Sequence, residues 1–387
     1  MTSLATRLKS EIARDGPMAV DVFMARCLTD PQDGYYTRQT ALGANGDFIT
    51  APEISQIFGE LIGIWALATW QALGAPAHLR LVELGPGRGT LMQDVLRVFC
   101  GARARKTAPA KLEVVLVELD GAMRARQAAT LRGTSGDASG DASDDAGVTL
   151  LWTDSLSKLR HDGTAVTIVL ANEFFDALPV AQYVMSERQW CQRVVALGRD
   201  GELAFAIGQP VAAAMPGMAA ASAAGVGDGQ VFESRHSVIV ATSGPVRAFA
   251  DIASQCPAAL LVIDYGDTCA SGVRTGETLQ AVAAHRFADV FEAPGMHDLS
   301  AHVDFSELTS ALSDAGVATR PTLSQAEFLA ALGLEARLAT LIAGKDAATA
   351  NALQVDASRL VAEPGMGDRF RVLCACSQGI AVPYPFA

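Results

Sequence analysis

Two apolar segments, about thirty residues apart, most constrain the fold of this chain. Leu81–Thr90 reads L-V-E-L-G-P-G-R-G-T, which predicts a buried strand, a glycine-rich turn and a helix from about Leu91. Val114–Asp120 reads V-V-L-V-E-L-D, a second buried strand followed by acidic residues. In open α/β sheets the ligand crevice lies at the carboxyl ends of such strands. The pair therefore predicts an α/β sheet that binds an adenosine-bearing cofactor.

The spacing of the glycines distinguishes between cofactors. Dinucleotide sites use G-x-G-x-x-G, in which a helix amino terminus holds the pyrophosphate. This chain instead has E-x-G-x-G-x-G, formed by Glu83, Gly85, Gly87 and Gly89. The pattern suits S-adenosylmethionine, because Glu83 can face its cationic part and bare glycine backbone allows close approach. Glu118 would then accept hydrogen bonds from the ribose hydroxyls.

The glycines alone are also compatible with an ordinary tight turn between a strand and a helix. The acidic residues at both strand ends favour the cofactor site over that alternative.

Strand and helix patterns along the chain predict its organisation. Apolar strands at 79–84, 112–118, 148–152 and 166–171 are separated by segments long enough for crossover helices, which indicates a mostly parallel sheet. We expect a helical region over 1–75 and a cofactor-binding core over 76–270 with an antiparallel insertion at about 181–235. A mainly helical lobe over 271–365, with one helix from Gln325 to about Leu360, would precede a closing strand in 366–387.

Composition indicates a protein with a large core and no membrane insertion. The chain has 387 residues, of which 50% are hydrophobic and 19% charged. Its apolar stretch Leu61–Ala75 is shorter than the roughly 20 residues that cross a bilayer, so it predicts a buried helix. Leu4, Leu8 and Ile12 are spaced as in an amphipathic helix rather than a signal peptide, so we expect a cytoplasmic protein.

Charge and cysteine usage bear on partners and metals. The formal net charge of −12 argues against a nucleic-acid partner, which would require a basic surface. The seven cysteines contain no C-x-x-C pair, so we expect no metal site. The sequence gives no indication of the oligomeric state.

Several longer strings resemble the MidA-like methyltransferases, a family that includes a mitochondrial complex I assembly factor that methylates an arginine. The strings include G-D-F-I-T-A-P-E at Gly46–Glu53, the glycine motif at Glu83–Thr90, A-N-E-F-F-D-A-L-P-V at Ala171–Val180 and D-L-S-A-H-V-D-F at Asp298–Phe305. The resemblance covers nearly the whole chain. It implies a class I, Rossmann-like fold with a mostly parallel seven-stranded sheet and an added helical lobe. It also implies methyl transfer to an arginine of a protein, with a respiratory complex I subunit as the acceptor.

Two further residues are candidates for cofactor binding. Asp47 lies in the string Gly46-Asp47-Phe48, whose polar and aromatic side chains could close over the cofactor, and Thr50 follows it. Thr50 and Glu53 also form the T-x-x-E pattern of a helix capping box, which would start the helix that contains Phe58.

Polar residues after the fourth predicted strand are candidates for the acceptor site. Asn172, Glu173 and Asp176 stand at the ligand edge of the sheet, where polar groups need partners. Because a guanidinium remains charged in proteins, a carboxylate can both balance and orient it. We expect Glu173 to take this role with Asp176 in support, and Asn172 to contact the cofactor.

His302 and Asp304 complete the set of candidates. Asp304 and Glu307 form a D-x-x-E capping pattern before a predicted helix, so a purely structural role for Asp304 competes with a catalytic one. A single histidine is more often structural than catalytic, and His302 is kept as a candidate contact only. Two other functions stay open: methylation of a small molecule, and an assembly chaperone that binds the cofactor without essential catalysis.

Overall fold

The computed structural model describes residues 3–37, 50–104, 106–132, 148–160, 165–211, 218, 225–268, 276–283 and 286–386. The helices within these ranges are α1 Leu4–Asp15, α2 Val20–Thr29, α3 Ala51–Ile54, α4 Gln56–Ala72, α5 Thr90–Ala104, α6 Gly121–Arg132, α7 His236–Ile239, α8 Pro245–Ala253, α9 Phe305–Asp314, α10 Gln325–Ala331, α11 Leu334–Ile342, α12 Ala347–Val361 and α13 Met366–Arg369. The strands are β1 Met18–Ala19, β2 His78–Leu84, β3 Lys111–Val117, β4 Val148–Thr153, β5 Val166–Asn172, β6 Ala181–Ser186, β7 Gln189–Leu197, β8 Leu203–Pro210, β9 Val231–Ser234, β10 Ala258–Asp267, β11 Gln280–Ala283, β12 Arg286–Ala288, β13 Asp298–Ser300, β14 Val303–Asp304, β15 Ala318–Thr319, β16 Leu323–Ser324 and β17 Phe370–Cys376.

Contacts divide the chain into two compact units. The core unit comprises Ile49–Phe174, Thr242–Gly266 and Leu312–Ala387. The accessory unit comprises Met1–Phe48, Phe175–Ala241 and Asp267–Ala311. This division differs from the expected boundaries, since the region 1–75 is split after residue 48 and the lobe 271–365 after residue 311. The unit boundaries follow the packing of the apolar faces, because the two units bury separate hydrophobic clusters.

A twisted sheet forms the centre of the core unit. Seven of its strands follow the order β15-β17-β10-β5-β2-β3-β4, and β16 also pairs with β17. The strands from β10 to β4 are parallel to one another, whereas β17 runs antiparallel to β10. β2 and β5 are buried along almost their whole length, as expected for strands covered on both faces. β5 is mostly apolar, whereas β2 buries the charged residues Arg80 and Glu83 among its apolar ones. The predicted α/β fold with a mostly parallel sheet is confirmed.

The hydrophobic core of this unit explains why α4 belongs to it. Phe58, Leu61 and Trp65 of α4 are fully buried and pack in one cluster with Leu81 of β2 and Ile168 of β5. The predicted buried helix is therefore confirmed. The sheet covers the apolar face of α4, which belongs to the core unit together with α3, whereas α1 and α2 belong to the accessory unit.

The predicted long helix from Gln325 is wrong. That segment forms three helices, α10, α11 and α12. Gly333, with φ of +88°, and Gly344, with φ of +75°, take left-handed backbone conformations at the two breaks. Asp346 then caps α12, because its carboxylate accepts hydrogen bonds from the Ala348 and Thr349 amides.

The accessory unit is built around antiparallel strands. Its larger sheet has the order β1-β7-β6-β9, with β8 beside β7, and a smaller sheet has the order β12-β11-β13. The antiparallel insertion expected after residue 181 is confirmed by these pairings. Leu4, Leu8 and Ile12 of α1 are buried in one cluster with Phe23 of α2 and Leu299 of β13. The amphipathic amino-terminal helix thus packs against strands that lie far from it in the sequence.

Candidate active site

The glycine-rich turn lies between β2 and α5 in the core unit. Gly85, Gly87 and Gly89 have φ values of +58°, +52° and +83°. L side chains rarely adopt this left-handed region, so the turn requires glycine. A Cβ atom at Gly85 would lie 3.0 Å from the Phe174 ring, whereas one at Gly87 would meet no atom within 4 Å. Gly87 therefore presents bare backbone to open space.

Glu83, on β2 just before the turn, is almost completely buried, with 3% exposure. Burial raises the pKa of its carboxyl group to about 8. Its Oε2 atom has no hydrogen-bond partner among the described residues, and the same holds for Oδ1 of Asn172 at the end of β5. Neighbouring strands β2 and β5 thus each place a buried, unpaired acceptor at their carboxyl ends. These two acceptors fit the ammonium group of the amino-acid tail of S-adenosylmethionine, which carries only donors.

Cofactor binding should therefore release a proton below pH 8. Below pH 8 and without ligand, the carboxyl group of Glu83 is mostly protonated. A bound cation favours the ionised carboxylate, so the affinity for the cofactor should rise with pH by at most about tenfold per pH unit. Calorimetry of S-adenosylhomocysteine binding between about pH 5.5 and 7, below the titration of the ligand's own amino group, measures this effect. Repeating the titration in buffers of different ionisation heat gives the number of protons released on binding. Glu83→Gln should abolish this release. Binding without proton release at about pH 6.5 would show that Glu83 does not face the cation.

Glu118 follows β3, at the edge of the sheet that the sequence indicates. Its Oε1 atom accepts the Asp120 amide at 2.9 Å, and its Oε2 atom accepts Nε2 of Gln127 at 2.9 Å. Each carboxylate oxygen has a second lone pair, so both can still accept a ribose hydroxyl. The carboxylate is held in place before any ligand arrives.

Glu118→Ala is expected to weaken binding of S-adenosylhomocysteine by tenfold or more, because hydrogen bonds to a charged group contribute about 1.5–3 kcal/mol each. Isothermal titration calorimetry measures the change. Asp251→Ala, which removes a half-exposed carboxylate paired with Arg247, is the matched control and should leave the affinity unaltered. Equal affinities for the two variants would refute the assignment of Glu118 to the ribose.

Gln127 is a residue of the site that the sequence patterns did not identify. This residue of α6 is completely buried and donates from Nε2 to the Gly87 carbonyl oxygen at 2.8 Å as well as to Glu118. A polar residue four positions from both Met123 and Leu131 on one buried helix face was the available signal. Its partners, however, come from other elements, so periodicity could not identify them.

The structure corrects the expected role of Thr50. Its side chain makes no capping hydrogen bond, and the helix α3 that it precedes ends at Ile54. Ser55 is in an extended conformation and its hydroxyl accepts the Ile57 amide, so α4 starts separately. The predicted capping box that would start the Phe58 helix is therefore wrong. Thr50 stays a candidate for cofactor binding, and Asp47 lies outside the described residues.

Glu173 is held tightly in the core unit. Its φ of +49° is uncommon for a residue other than glycine, and such strain tends to occur at functional sites. Its Oε1 atom accepts the Ala51 amide at 3.2 Å and Nδ2 of Asn172 at 3.1 Å. Its own amide donates to the Ile263 carbonyl oxygen at 2.9 Å. Glu173 and Asn172 are thus brought together at the carboxyl end of β5.

Asp176 lies in the accessory unit. Burial raises the pKa of its carboxyl group to about 6, although the positive charge of Arg235 acts in the opposite direction. Its carbonyl oxygen accepts the Ala301 amide and Nη2 of Arg235, each at 3.1 Å. Tyr36, which the sequence analysis also missed, donates its hydroxyl to Asp298 at 3.1 Å. Burial and the charges of Asp298 and Asp176 raise the pKa of Tyr36 well above its usual value.

The backbone of His302 is fixed on both sides in the same unit. Its amide donates to the Thr278 hydroxyl at 3.0 Å, and its carbonyl oxygen accepts Nη1 of Arg235 at 2.8 Å. Arg235, 5% exposed, therefore contacts the backbone of both Asp176 and His302.

Asp304 caps α9, which is the structural role that its D-x-x-E pattern predicts. Its Oδ1 atom accepts the amides of Ser306 and Glu307 at 2.8 and 3.1 Å. Glu307 does not complete the capping box, because its carboxylate accepts the Ser234 hydroxyl and the Arg235 amide.

Membrane-spanning helices and clusters of metal ligands are both absent from the described residues. None of the helices in the described ranges combines the length and the apolar character that crossing a bilayer requires. Within the same ranges, His, Cys, Asp and Glu side chains do not gather in threes as a metal ion would need.

Comparison with known proteins supports the identity of the cofactor. The model of a family described as "putative S-adenosyl-L-methionine-dependent methyltransferase" matches residues 61–322. The chain is 34% identical to the Danio rerio protein arginine methyltransferase NDUFAF7, mitochondrial, over 95% of this chain and 86% of that protein. It is 33% identical to the Homo sapiens protein of the same name, over 88% of this chain and 76% of that protein.

A solved structure is similar over the same extent. It is a Burkholderia thailandensis protein crystallised with S-adenosyl-homocysteine, and its TM-score is 0.78 at 31% identity, covering 98% of this chain and 92% of that one. The bound product in this relative supports S-adenosylmethionine as the cofactor.

The relatives also correct one expectation. The Danio rerio and Homo sapiens proteins are both named as mitochondrial, so the prediction of a cytoplasmic protein is wrong.

The family model matches more than half of the chain, and the relatives align with almost all of it. The chain therefore belongs to the MidA-like family of S-adenosyl-L-methionine-dependent methyltransferases.

Proposed function

We propose that the methyl acceptor is an arginine side chain of a protein. The observation that carries this proposal is the similarity to a protein named arginine methyltransferase, which extends over 95% of this chain. The aligned length includes segments of the accessory unit as well as the cofactor-binding core. A subunit of respiratory complex I is the acceptor that the sequence resemblance implies.

The chemistry requires an oriented guanidinium. One nitrogen of the arginine attacks the sulfonium methyl group, so an N–C bond forms as the S–C bond breaks and S-adenosylhomocysteine leaves. The nitrogen also loses a proton, which passes to a carboxylate beside it and then to water, so the methylated guanidinium keeps a single positive charge. Because the guanidinium is charged at neutral pH, a carboxylate beside it balances the charge and holds the attacking nitrogen in line.

Glu173 is proposed as this acceptor carboxylate, with Asp176 in support. Support for Glu173 comes from its strained backbone at the carboxyl end of β5 and from the two donors that fix its Oε1 atom. Support for Asp176 comes from its pKa of about 6, since such a group is mostly ionised at neutral pH and holds a proton better than an ordinary aspartate.

His302 and Asp304 are proposed as further acceptor contacts. The backbone of His302 is fixed by two hydrogen bonds, which suits a side chain that must keep one orientation. Asp304 already caps α9, so it follows Glu173 and Asp176 as a candidate for guanidinium binding.

Incubation of the protein with methyl-labelled S-adenosylmethionine and cell lysate tests the proposal. We expect label in a protein band that yields methylarginine on hydrolysis. Label confined to small molecules would identify a small-molecule methyltransferase. Absence of transfer by a protein that still binds S-adenosylhomocysteine would identify a cofactor-binding assembly factor, and either result would overturn the proposal.

A further inference from the structure

One buried polar residue interrupts an otherwise apolar face of α6. Met123, Gln127 and Leu131 are the buried residues of this helix, and they recur at every fourth position. Gln127 stands in the middle of this stripe with 0% exposure. A buried amide is unfavourable unless hydrogen bonds compensate it, so an apolar side chain would be the ordinary residue here.

The hydrogen bonds of Gln127 join the two parts of the cofactor site. Its Nε2 atom donates one hydrogen to the Gly87 carbonyl oxygen at 2.8 Å and the other to Oε2 of Glu118 at 2.9 Å. The same side chain lies against Gly89, since a Cβ atom there would be 3.6 Å from Cγ of Gln127. Gln127 therefore contacts the glycine-rich turn at two of its glycines and the ribose carboxylate at once.

Trp152 of β4 sets the orientation of the amide group. Its Nε1 atom lies 3.0 Å from Oε1 of Gln127. An indole nitrogen can only donate a hydrogen bond, so Oε1 must face Trp152 and the NH₂ group must face Gly87 and Glu118. With two donors and one acceptor engaged, the amide is fixed without help from a ligand.

We propose that Gln127 is a positioning residue for S-adenosylmethionine. Its amide holds the Glu118 carboxylate at a fixed separation from the Gly87 carbonyl, so the ribose finds its carboxylate already placed beside the glycine-rich turn. Binding then loses less conformational entropy than it would if Glu118 had to be ordered by the ligand. This inference concerns the cofactor and does not depend on which acceptor is methylated.

Gln127→Met tests the proposal because it keeps the length of the side chain and removes both donors. We expect the affinity for S-adenosylhomocysteine, measured by calorimetry, to fall at least about tenfold, as the loss of a hydrogen bond to a charged group implies. Gln93→Met is the matched control. Gln93 of α5 also donates to α6, through the Thr130 carbonyl at 2.9 Å, but has no hydrogen bond to Gly87 or Glu118. Its affinity should stay within about twofold of the original protein.

A double variant separates positioning from a purely structural role. If Gln127 acts through Glu118, Gln127→Met should change the affinity little in a Glu118→Ala background, because interacting residues are not additive. The proposal would be overturned if the fold loss of affinity in the double variant equalled the product of the losses in the two single variants. An affinity of Gln127→Met within about twofold of the original protein would also overturn it.

Gln127→Glu decides the matter if Gln127→Met fails to fold. The carboxylate can still accept from Trp152, but it places a second negative charge beside Glu118, near Asp120 and Arg124. Relative to the original protein at the same pH, the affinity of this variant should be low at about pH 8 and should come closer at about pH 6, where a proton shared by the two carboxyl groups again provides a donor. An affinity equal to that of the original protein at both pH values would overturn the proposal, and so would failure of both variants to fold.

Discussion

Gly87→Val is expected to abolish binding of S-adenosylmethionine and S-adenosylhomocysteine, lowering the affinity by at least about a hundredfold. Gly87 has a φ of +52°, where a β-branched side chain is strained. A Cβ atom at this position meets no protein atom within 4 Å, so the new side chain would enter the space assigned to the ligand. Calorimetry with S-adenosylhomocysteine measures the loss.

Gly379→Val separates the two causes of that loss. Gly379 has a φ of +75°, and a Cβ atom there would also meet no atom within 4 Å, but it lies in the turn after β17. This control carries a similar backbone strain and should bind the ligand like the original protein. Retained affinity in Gly87→Val would contradict the site, and an equal loss in Gly379→Val would attribute the effect to strain alone.

Glu173→Gln should reduce methyl transfer by about tenfold to a hundredfold while leaving the affinity for S-adenosylhomocysteine unchanged. The amide oxygen can still accept from Ala51 and Asn172, so these two hydrogen bonds are kept while the charge is removed. A group that orients the acceptor matters in the transition state more than in cofactor binding. Turnover with labelled cofactor, combined with calorimetry, resolves the two effects.

Glu187→Gln is the matched control for this variant. Glu187 also has a left-handed backbone, with φ of +50°, but it is exposed in the turn between β6 and β7. Methyl transfer by this control should equal that of the original protein. If Glu173→Gln methylates its protein target at the original rate, Glu173 is not the acceptor carboxylate and Asp304 becomes the next candidate.

Local sequence patterns were sufficient to predict the cofactor side of the site. Glu83 and Glu118 each end an apolar strand, and the glycines between β2 and α5 alternate without interruption. Such signals depend on neighbours in the chain, so the sequence predicted the ends of β2, β3, β4 and β5 to within one residue. The errors in helix boundaries also have local causes. Ser55 precedes α4 and Gly333 precedes α11, and each interrupts a segment in which the apolar periodicity continues.

Interactions between distant segments were not predictable in this way. Gln127 is explained only by Gly87, Glu118 and Trp152, which come from three other parts of the chain. Tyr36 and Asp298 are 262 positions apart, and no spacing rule connects them. The boundaries of the two units were missed for the same reason, since they follow the packing of apolar faces rather than the order of elements.

A crystal structure with S-adenosylhomocysteine tests the central claim most directly. The account predicts that the ligand's ammonium group lies within hydrogen-bond distance of Glu83 and Asn172. The ribose hydroxyls of the ligand should donate to Glu118, and the ligand should lie against the backbone of Gly87. A ligand bound elsewhere, or one whose ribose does not contact Glu118, would contradict the assignment of this site.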